Sequence, residues 1–284
     1  MLVSIVTPSF NQDRWLQANL DSVARQTYPA IEHIVADGGS TDHSVSILER
    51  HGRGGLRWWS RPDGGQSEAI NAAFRATRGD VIGWLNSDDA YFARDVVERA
   101  VDFLNRHRDV AAVYGHACLV DASGHLLQIL WAPPFSRKFL VRYNFIVQPT
   151  VFIRRDALGE TLVDPRFQYM MDRELWLRLS LDHQVARMNA IVAIDRHHDG
   201  RKSYRRLDLR RTDEILLKDI HPDARTVDGR LGRKALKAAF RVAGLSLLHQ
   251  ATVASSAIDL GPESTLPLAA RQLFVPRRRM RADG

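Results

Sequence analysis

Cysteine is nearly absent, with Cys118 the single one in 284 residues. One thiol excludes an internal disulfide and any zinc site built on several cysteines, and it suits a reducing compartment. Long apolar runs are missing as well. The opening MLVSIVTPSFN has neither the basic flank nor the extended apolar stretch of a secretory signal and reads as a strand. Val242–Ile258 is broken by Ser, His and Gln, too polar for a membrane span. The glycines spell neither G-x-G-x-x-G nor a P-loop, which sets aside a dinucleotide dehydrogenase or a P-loop ATPase. No repeat or low-complexity tract stands out. The protein is therefore expected to be cytoplasmic, and at 45% apolar and 26% charged residues the chain has the means to bury an ordinary core.

Charge is unevenly spread. Residues 201–284 carry 18 Lys/Arg against 9 Asp/Glu, so of the +7 total the first 200 residues hold −2. A basic tail on a near-neutral front points to an anionic partner, membrane phospholipid or nucleic acid, or else to a solvated basic surface.

Short β-rich runs alternate with helical periodicity through the first half. Strands are expected at 2–7, 31–36, 56–60 and 81–85, and helices at 15–26, 44–50, 66–77 and 94–107. Ala111–His116 and Leu126–Trp131, separated by a turn at Asp121–Gly124, read as an antiparallel pair. A strand at 150–153 and an amphipathic helix at 172–181 follow. This is an α/β pattern, a mostly parallel central sheet with helices on both faces. After about Tyr204 the composition turns basic and helical, which divides the chain into 1–205 and a helical extension, 206–284.

In an open α/β sheet, ligands bind beyond the carboxyl ends of the strands. The four expected strand ends carry Thr7-Pro-Ser-Phe-Asn11, Asp37-Gly-Gly-Ser-Thr-Asp42, Asp63-Gly-Gly-Gln66 and Asn86-Ser-Asp-Asp89. Any one of them reads equally as a turn and helix cap; four at one edge favour a site. Asp88 and Asp89 close a strongly apolar strand, where burial without a cation is costly. Carboxylates facing a polyphosphate require neutralisation, and a divalent ion supplies it. Capping of the following helix is the plain alternative for this pair.

These four segments, together with Ser67-Glu-Ala-Ile-Asn71, resemble the family 2 glycosyltransferases of GT-A fold, in order and spacing, over roughly residues 1–205. Among them the bacterial cell-surface polysaccharide and glycolipid branch is the most similar. The resemblance implies a Rossmann-like GT-A domain that moves a sugar from a nucleotide-sugar donor to a saccharide or lipid-linked acceptor. Asp37 would hydrogen-bond the imide N–H of a uracil or thymine base, which favours UDP- or dTDP-sugars, and Thr7, Pro8, Phe10 and Asn11 would cradle it. Asp63, Gln66, Asn71, Asn86 and Ser87 would stand around the donor. Asn86-Ser-Asp88 occupies the place of the family's Asp-x-Asp motif, with Asp88 as a ligand of Mg²⁺ or Mn²⁺ and an amide where the first acid stands. Ile70 replaces an arginine common before Asn71.

Tyr169-Met-Met-Asp-Arg-Glu174 resembles the segment that bears the family's catalytic base, which assigns that role to Asp172, with Glu174 behind it. A hydroxyl nucleophile must lose its proton as it attacks the anomeric carbon, and a carboxylate at a helix start supplies the base; Asp172 equally reads as a helix cap. Arg196-His-His198 resembles an Arg-x-His element, which implies His198 as a further metal ligand, and Gln148-Pro149 matches an acceptor-side element. One base and one metal carboxylate imply single displacement with inversion through an oxocarbenium-like transition state. At 232–248, Arg233, Lys234, Lys237 and Arg241 beside Leu236, Phe240 and Leu247 form a basic amphipathic helix, suited to an anionic bilayer or to packing on the domain. Peripheral association with the inner face of the cytoplasmic membrane follows as an expectation. The tail lacks interleaved aromatics, which ranks nucleic acid low. A non-catalytic nucleotide-sugar binder acting as a scaffolding subunit is the remaining alternative.

Overall fold

A computed structural model describes residues 1–52, 55–201, 207–224 and 230–247. The first half follows the alternation expected of it: β1 (Val3–Ser9), α1 (Asp13–Ala24), β2 (Ile31–Asp37), α2 (Ser44–His51), β3 (Leu56–Ser60), α3 (Gln66–Arg75) and β4 (Val81–Trp84). Next come β5 (Ala90–Tyr91), α4 (Val96–Arg106), β6 (Val110–Val120), β7 (Leu126–Leu130), α5 (Arg137–Leu140), β8 (Phe152–Arg154), α6 (Met171–Asp182) and β9 (Gln184–Arg196). Two further helices, α7 (Leu207–Ile220) and α8 (Arg230–Leu245), lie beyond the sheet.

Strands run in the order β3-β2-β1-β4-β8-β6-β9-β5, with β7 added on β6. β1 to β4 are mutually parallel, so their carboxyl ends share one edge. Register places Ser9, Asp37 and Ser60 side by side there. The later strands mix directions: β8 is antiparallel to β4 and β6, β7 to β6 and β5 to β9, while β6 and β9 run parallel.

Because side chains alternate faces along a strand, β2 feeds two cores. Val35 packs with Leu16 and Leu20 of α1 and Ile47 and Leu48 of α2. Ile34 and Ala36 face the other way, toward Ala69, Ile70 and Phe74 of α3 and Leu175 and Trp176 of α6. Ile70, where the resemblance leads one to look for an arginine, is fully buried in this core. α6 differs from its sequence pattern. An amphipathic helix is expected, yet Arg173 and Glu174 are buried along with Leu175, Trp176, Leu177 and Leu179. Glu174 Oε1 accepts from Arg178 Nε at 2.9 Å, so its charge is met inside the protein.

Packing does not stop at residue 205. Leu217 of α7 sits in the α3/α6 core with Ala224. On α8, Phe240 meets Trp131, Phe139 and Tyr143, and Gly244 lies so close to β7 that a Cβ there would stand 2.7 Å from the Ile129 carbonyl oxygen. The apolar face of the basic helix is thereby used against the domain, although Val242 stays 67% exposed. Side chains of Arg233 and Lys234, and everything from residue 248 onward, lie outside the described residues. Among the described residues no helix is long and apolar enough to cross a membrane.

Candidate active site

A cleft of about 1040 Å³ opens at the carboxyl edge of β1 and β4. Pro8, Phe10, Asp63, Gln66, Asn86, Ser87, Asp88 and Asp172 line it, eight of the thirteen site residues expected from sequence. The strand-end side contributes the acids Asp63, Asp88, Asp89 and Asp195. A second wall, drawn from residues 142–149, 168–173 and the C-terminal helices and joined to the first through Gln148 and Asn86, contributes Asp172 with Arg142, Arg173, Arg210 and Lys237.

Asp88 and Asp89 precede β5, not a helix, and the N-cap of α4 is Asp95, so the capping reading of the pair fails. Antiparallel pairing of β5 with β9 sets Ala90 opposite Ile194. That register brings the end of β9 against the pair. Asp89 Oδ1 accepts the Arg196 N–H at 3.1 Å, and Arg196 Nε donates to the Asp88 carbonyl at 3.2 Å. Asp195, which sequence reasoning missed, joins them and is paired with Arg201 at 2.7 Å. Burial, and then the charge of Asp88, pushes the Asp89 carboxyl well up, and burial raises Asp195. A signal existed for Asp195: an acid closing an apolar strand, the same cue that marked Asp88.

His198 Nε2 stands 2.9 Å from Asp88 Oδ2, its ring packed on Trp15 with centroids 3.9 Å apart. His198 Nδ1 is buried without a hydrogen-bond partner. The donor set suits a hard divalent ion shared with a diphosphate, since such an ion takes one or two protein donors and leaves its other positions to phosphate oxygens and water. Among the described residues no group of three or more His, Cys, Asp or Glu forms a complete protein cage.

Asn86 has a reason to be an amide. Its Oδ1 accepts from the Trp84 indole at 2.9 Å and from Gln66 Nε2 at 3.3 Å, while its Nδ2 donates to Gln148 Oε1 at 2.7 Å and to Asp89 Oδ2 at 3.5 Å. Gln148 is itself oriented by donating to the Trp84 carbonyl at 2.5 Å. A carboxylate at 86 would set an anion against Gln148 Oε1 and the Asp89 carboxylate.

Asp172 sits in the first turn of α6, whose N-cap position is Met170 with no side-chain cap, so it is not the capping residue. Its Oδ2 accepts from Asn144 Nδ2 at 3.1 Å. Burial raises its pKa above the usual carboxylate range, against the lowering effects of the Arg173 amide, Asn144 and the Arg173 charge. Leu175, Trp176 and Leu179 anchor the helix in the core, as their spacing suggests. Glu174, paired with Arg178, does not line the cleft.

Five expected residues stand off the cleft wall. Thr7 Oγ1 lies 2.9 Å from His33 Nε2, whose pKa burial pushes down to about 3. Asn11, at φ 52°, accepts the Thr41 N–H at 2.8 Å and ties the β1 loop to the β2 loop. Asn71 clamps Val163, donating to its carbonyl at 2.9 Å and accepting its N–H at 3.0 Å. His198, 5% exposed, meets the cleft lining through its contact with Asp88. Asp37, expected to face a base, is 1% exposed and accepts four bonds within the chain: from Gly39 N, Ser40 N and Oγ, and Ser60 Oγ, at 2.6–3.2 Å. Three of these fall on Oδ2 and only Ser40 Oγ reaches Oδ1, so Asp37 shapes the loop through Oδ2 and keeps acceptor capacity at Oδ1. Gly39, at φ +82°, takes the left-handed turn this arrangement needs.

Residues 4–160 match the family described as Glycosyl transferase family 2. An uncharacterized glycosyltransferase of Mycobacterium tuberculosis is 35% identical over 187 residues, covering 63% of this chain and 69% of its own. Chondroitin synthase of Pasteurella multocida is 28% identical over 220 residues, 76% of this chain but 23% of that much longer one. In fold, the chain is similar to Staphylococcus aureus TarS 1–349 in complex with UDP-GlcNAc, with a TM-score of 0.62 at 17% identity over 77% of this chain and 67% of that one. It is also similar to the mannosyltransferase PcManGT of Pyrobaculum calidifontis in complex with GDP-Man and Mn²⁺, with a TM-score of 0.57 at 19% identity over 95% and 77%. The architecture is GT-A.

Proposed function

Since the chain belongs to glycosyl transferase family 2, we propose that it moves a sugar from a nucleotide-sugar donor to a hydroxyl of a saccharide or lipid-linked acceptor, in one displacement with inversion. The observation that carries this reading is the placement of Asp88 and Asp172 on the two walls of one cleft. No second carboxylate is needed as a covalent nucleophile if Asp172 serves the acceptor directly. Its buried carboxylate, raised in pKa and held by Asn144, is suited to take the acceptor proton.

The strand-end wall binds the donor. Phe10, 58% exposed at the lip, and Pro8 offer apolar surface to a base. Asp88 with His198 would hold Mg²⁺ or Mn²⁺, which supplies charge stabilisation for the departing diphosphate. Asn86, locked by Gln148, Trp84 and Gln66, shapes the floor between metal and sugar. UDP- and dTDP-sugars remain the favoured donors by family likeness. With Asp37 engaged inside the chain, GDP-sugars belong in the same test, as TarS and PcManGT carry one kind each.

The test is release of nucleoside diphosphate from a panel of UDP-, dTDP- and GDP-sugars, with Mn²⁺ and with chelator. Metal-dependent release from one donor is the expected result. A donor that stabilises the fold by mass action yet releases nothing with any acceptor supports the scaffolding role instead.

A further inference from the structure

Asp213 lies on α7, outside the stretch that matches the family, and is 2% exposed. Its Oδ2 accepts three backbone N–H groups in a row: Gln168 at 3.0 Å, Tyr169 at 2.6 Å and Met170 at 2.7 Å. Successive amides converging on one anionic oxygen make a strong, charge-assisted cluster. Those amides belong to the segment that leads into α6, two residues before Asp172, and Gln168, Tyr169 and Met170 all line the cleft. Ser67 Oγ tethers the same segment from the opposite side by donating to the Phe167 carbonyl at 2.8 Å. α7 is in turn fixed by Leu217 in the core. Met170 is the N-cap of α6, so the same carboxylate holds both the backbone of the cleft wall and the entry to the helix that carries Asp172.

We propose that Asp213 is a positioning residue for the transfer step, holding residues 168–170 in the conformation that sets the Asp172 carboxylate toward the acceptor. The proposal rests on Asp172 being the base. Without Asp213, three N–H groups in sequence, that of Met170 buried and those of Gln168 and Tyr169 partly so, lose their acceptor and the segment must move to find others. A displacement of about 1 Å at a reacting group costs on the order of 10²-fold in rate. The donor wall, carried by β1 and β4, is untouched.

Asp213→Asn keeps the shape and one acceptor oxygen but removes the charge. Expected, at a temperature well below its unfolding transition, are a kcat reduced about 10- to 100-fold, an unchanged KM for the nucleotide-sugar, a displaced acid limb in the kcat–pH profile, and faster amide exchange at 168–170. Asp213→Glu keeps the charge and shifts the oxygen by one methylene; it is the variant to read if Asp213→Asn does not fold, with the same direction of change expected. Either variant, folded, with wild-type kcat and pH profile overturns the proposal. So does unchanged amide exchange at 168–170. A wild-type protein that releases no nucleoside diphosphate from any donor is a separate failure, that of the transferase reading, and the exchange measurement still reports on the clasp.

Discussion

The two walls of the cleft hold their acids in different ways. On the strand-end wall, Asp37 is tied by four hydrogen bonds from its own loop and from Ser60, and Asp88 and Asp89 are tied to His198 and Arg196. On the second wall, Asp172 has one side-chain partner, Asn144, and its pKa is raised by burial. Partners from other segments fix the strand-end acids in place, whereas desolvation leaves Asp172 with a raised affinity for a proton. The first arrangement suits recognition of a cation or a ligand, the second suits a base.

Asp172→Asn breaks the contrast most severely. Transfer should fall about 10²- to 10⁴-fold, while Mn²⁺ and donor still raise Tm, because the donor wall is intact. A raised carboxylate pKa in the folded state means the charged form is disfavoured by folding, so above that pKa the wild type carries a cost that the amide lacks. The variant should therefore be at least as stable as wild type at neutral pH, by thermal unfolding. In the wild type, activity should fade as pH drops through a value above the ordinary carboxylate range. Retained transfer in the variant would remove Asp172 from the mechanism. Asp88→Asn should lower activity by a similar factor but also abolish the Mn²⁺-dependent shift in Tm with donor, which separates the two walls in one experiment.

A smaller effect is expected from Asn86→Asp. The new carboxylate faces Asp89 and Gln148 Oε1, and an unmet buried group costs about 1–3 kcal/mol. Placement beside two acceptor groups would disfavour its charged form, so the loss of Tm should be full at pH 7 and shrink as pH falls and the group protonates. An unchanged Tm at pH 7 would show that the amide is not needed there. Asn71→Ala removes both bonds to Val163 and should cost a comparable amount of stability while leaving donor affinity alone; a selective loss of donor binding would return Asn71 to the donor site. The smallest expected effect is at the membrane. With the apolar face of α8 packed on β7, exposed Val242, Lys237 and Arg241 support only weak co-sedimentation with anionic vesicles, lost in about 0.5 M salt. No binding at low salt would dismiss it.

The parallel strands and the helices between them were readable because the signal is local. The short β-rich runs of β1, β2 and β4 and the small polar residues at their ends act over a few positions. The acidic pair at Asp88 was noticed the same way, at a strand end, while its metal role and the choice of Asp172 came from the family resemblance. Asp195 and Asp213 were not, and Gln148 was matched to an acceptor-side element without its contact to Asn86, because each acts on residues far along the chain: Asp195 gathers near Asp88 through β9, Gln148 orients Asn86, and Asp213 holds residues 168–170. The charges of Arg173, Glu174 and Arg178 made α6 look half-solvated, and no periodicity reveals that Glu174 and Arg178 neutralise one another beside a core.

Residue order alone thus specified the family and the α/β alternation, since hydrophobic period and turn chemistry are written in neighbouring positions, and through the family resemblance it pointed to the two carboxylates most worth testing. Which acid is free and which is engaged came only from packing. Asp37 reads in sequence like any base-binding acid, and the fold surrounds it with Ser40 and Ser60. The affinity of a carboxylate for a proton or a ligand depends on the donors and the solvent within a few ångströms, and those are assembled from segments that meet only when the chain has folded.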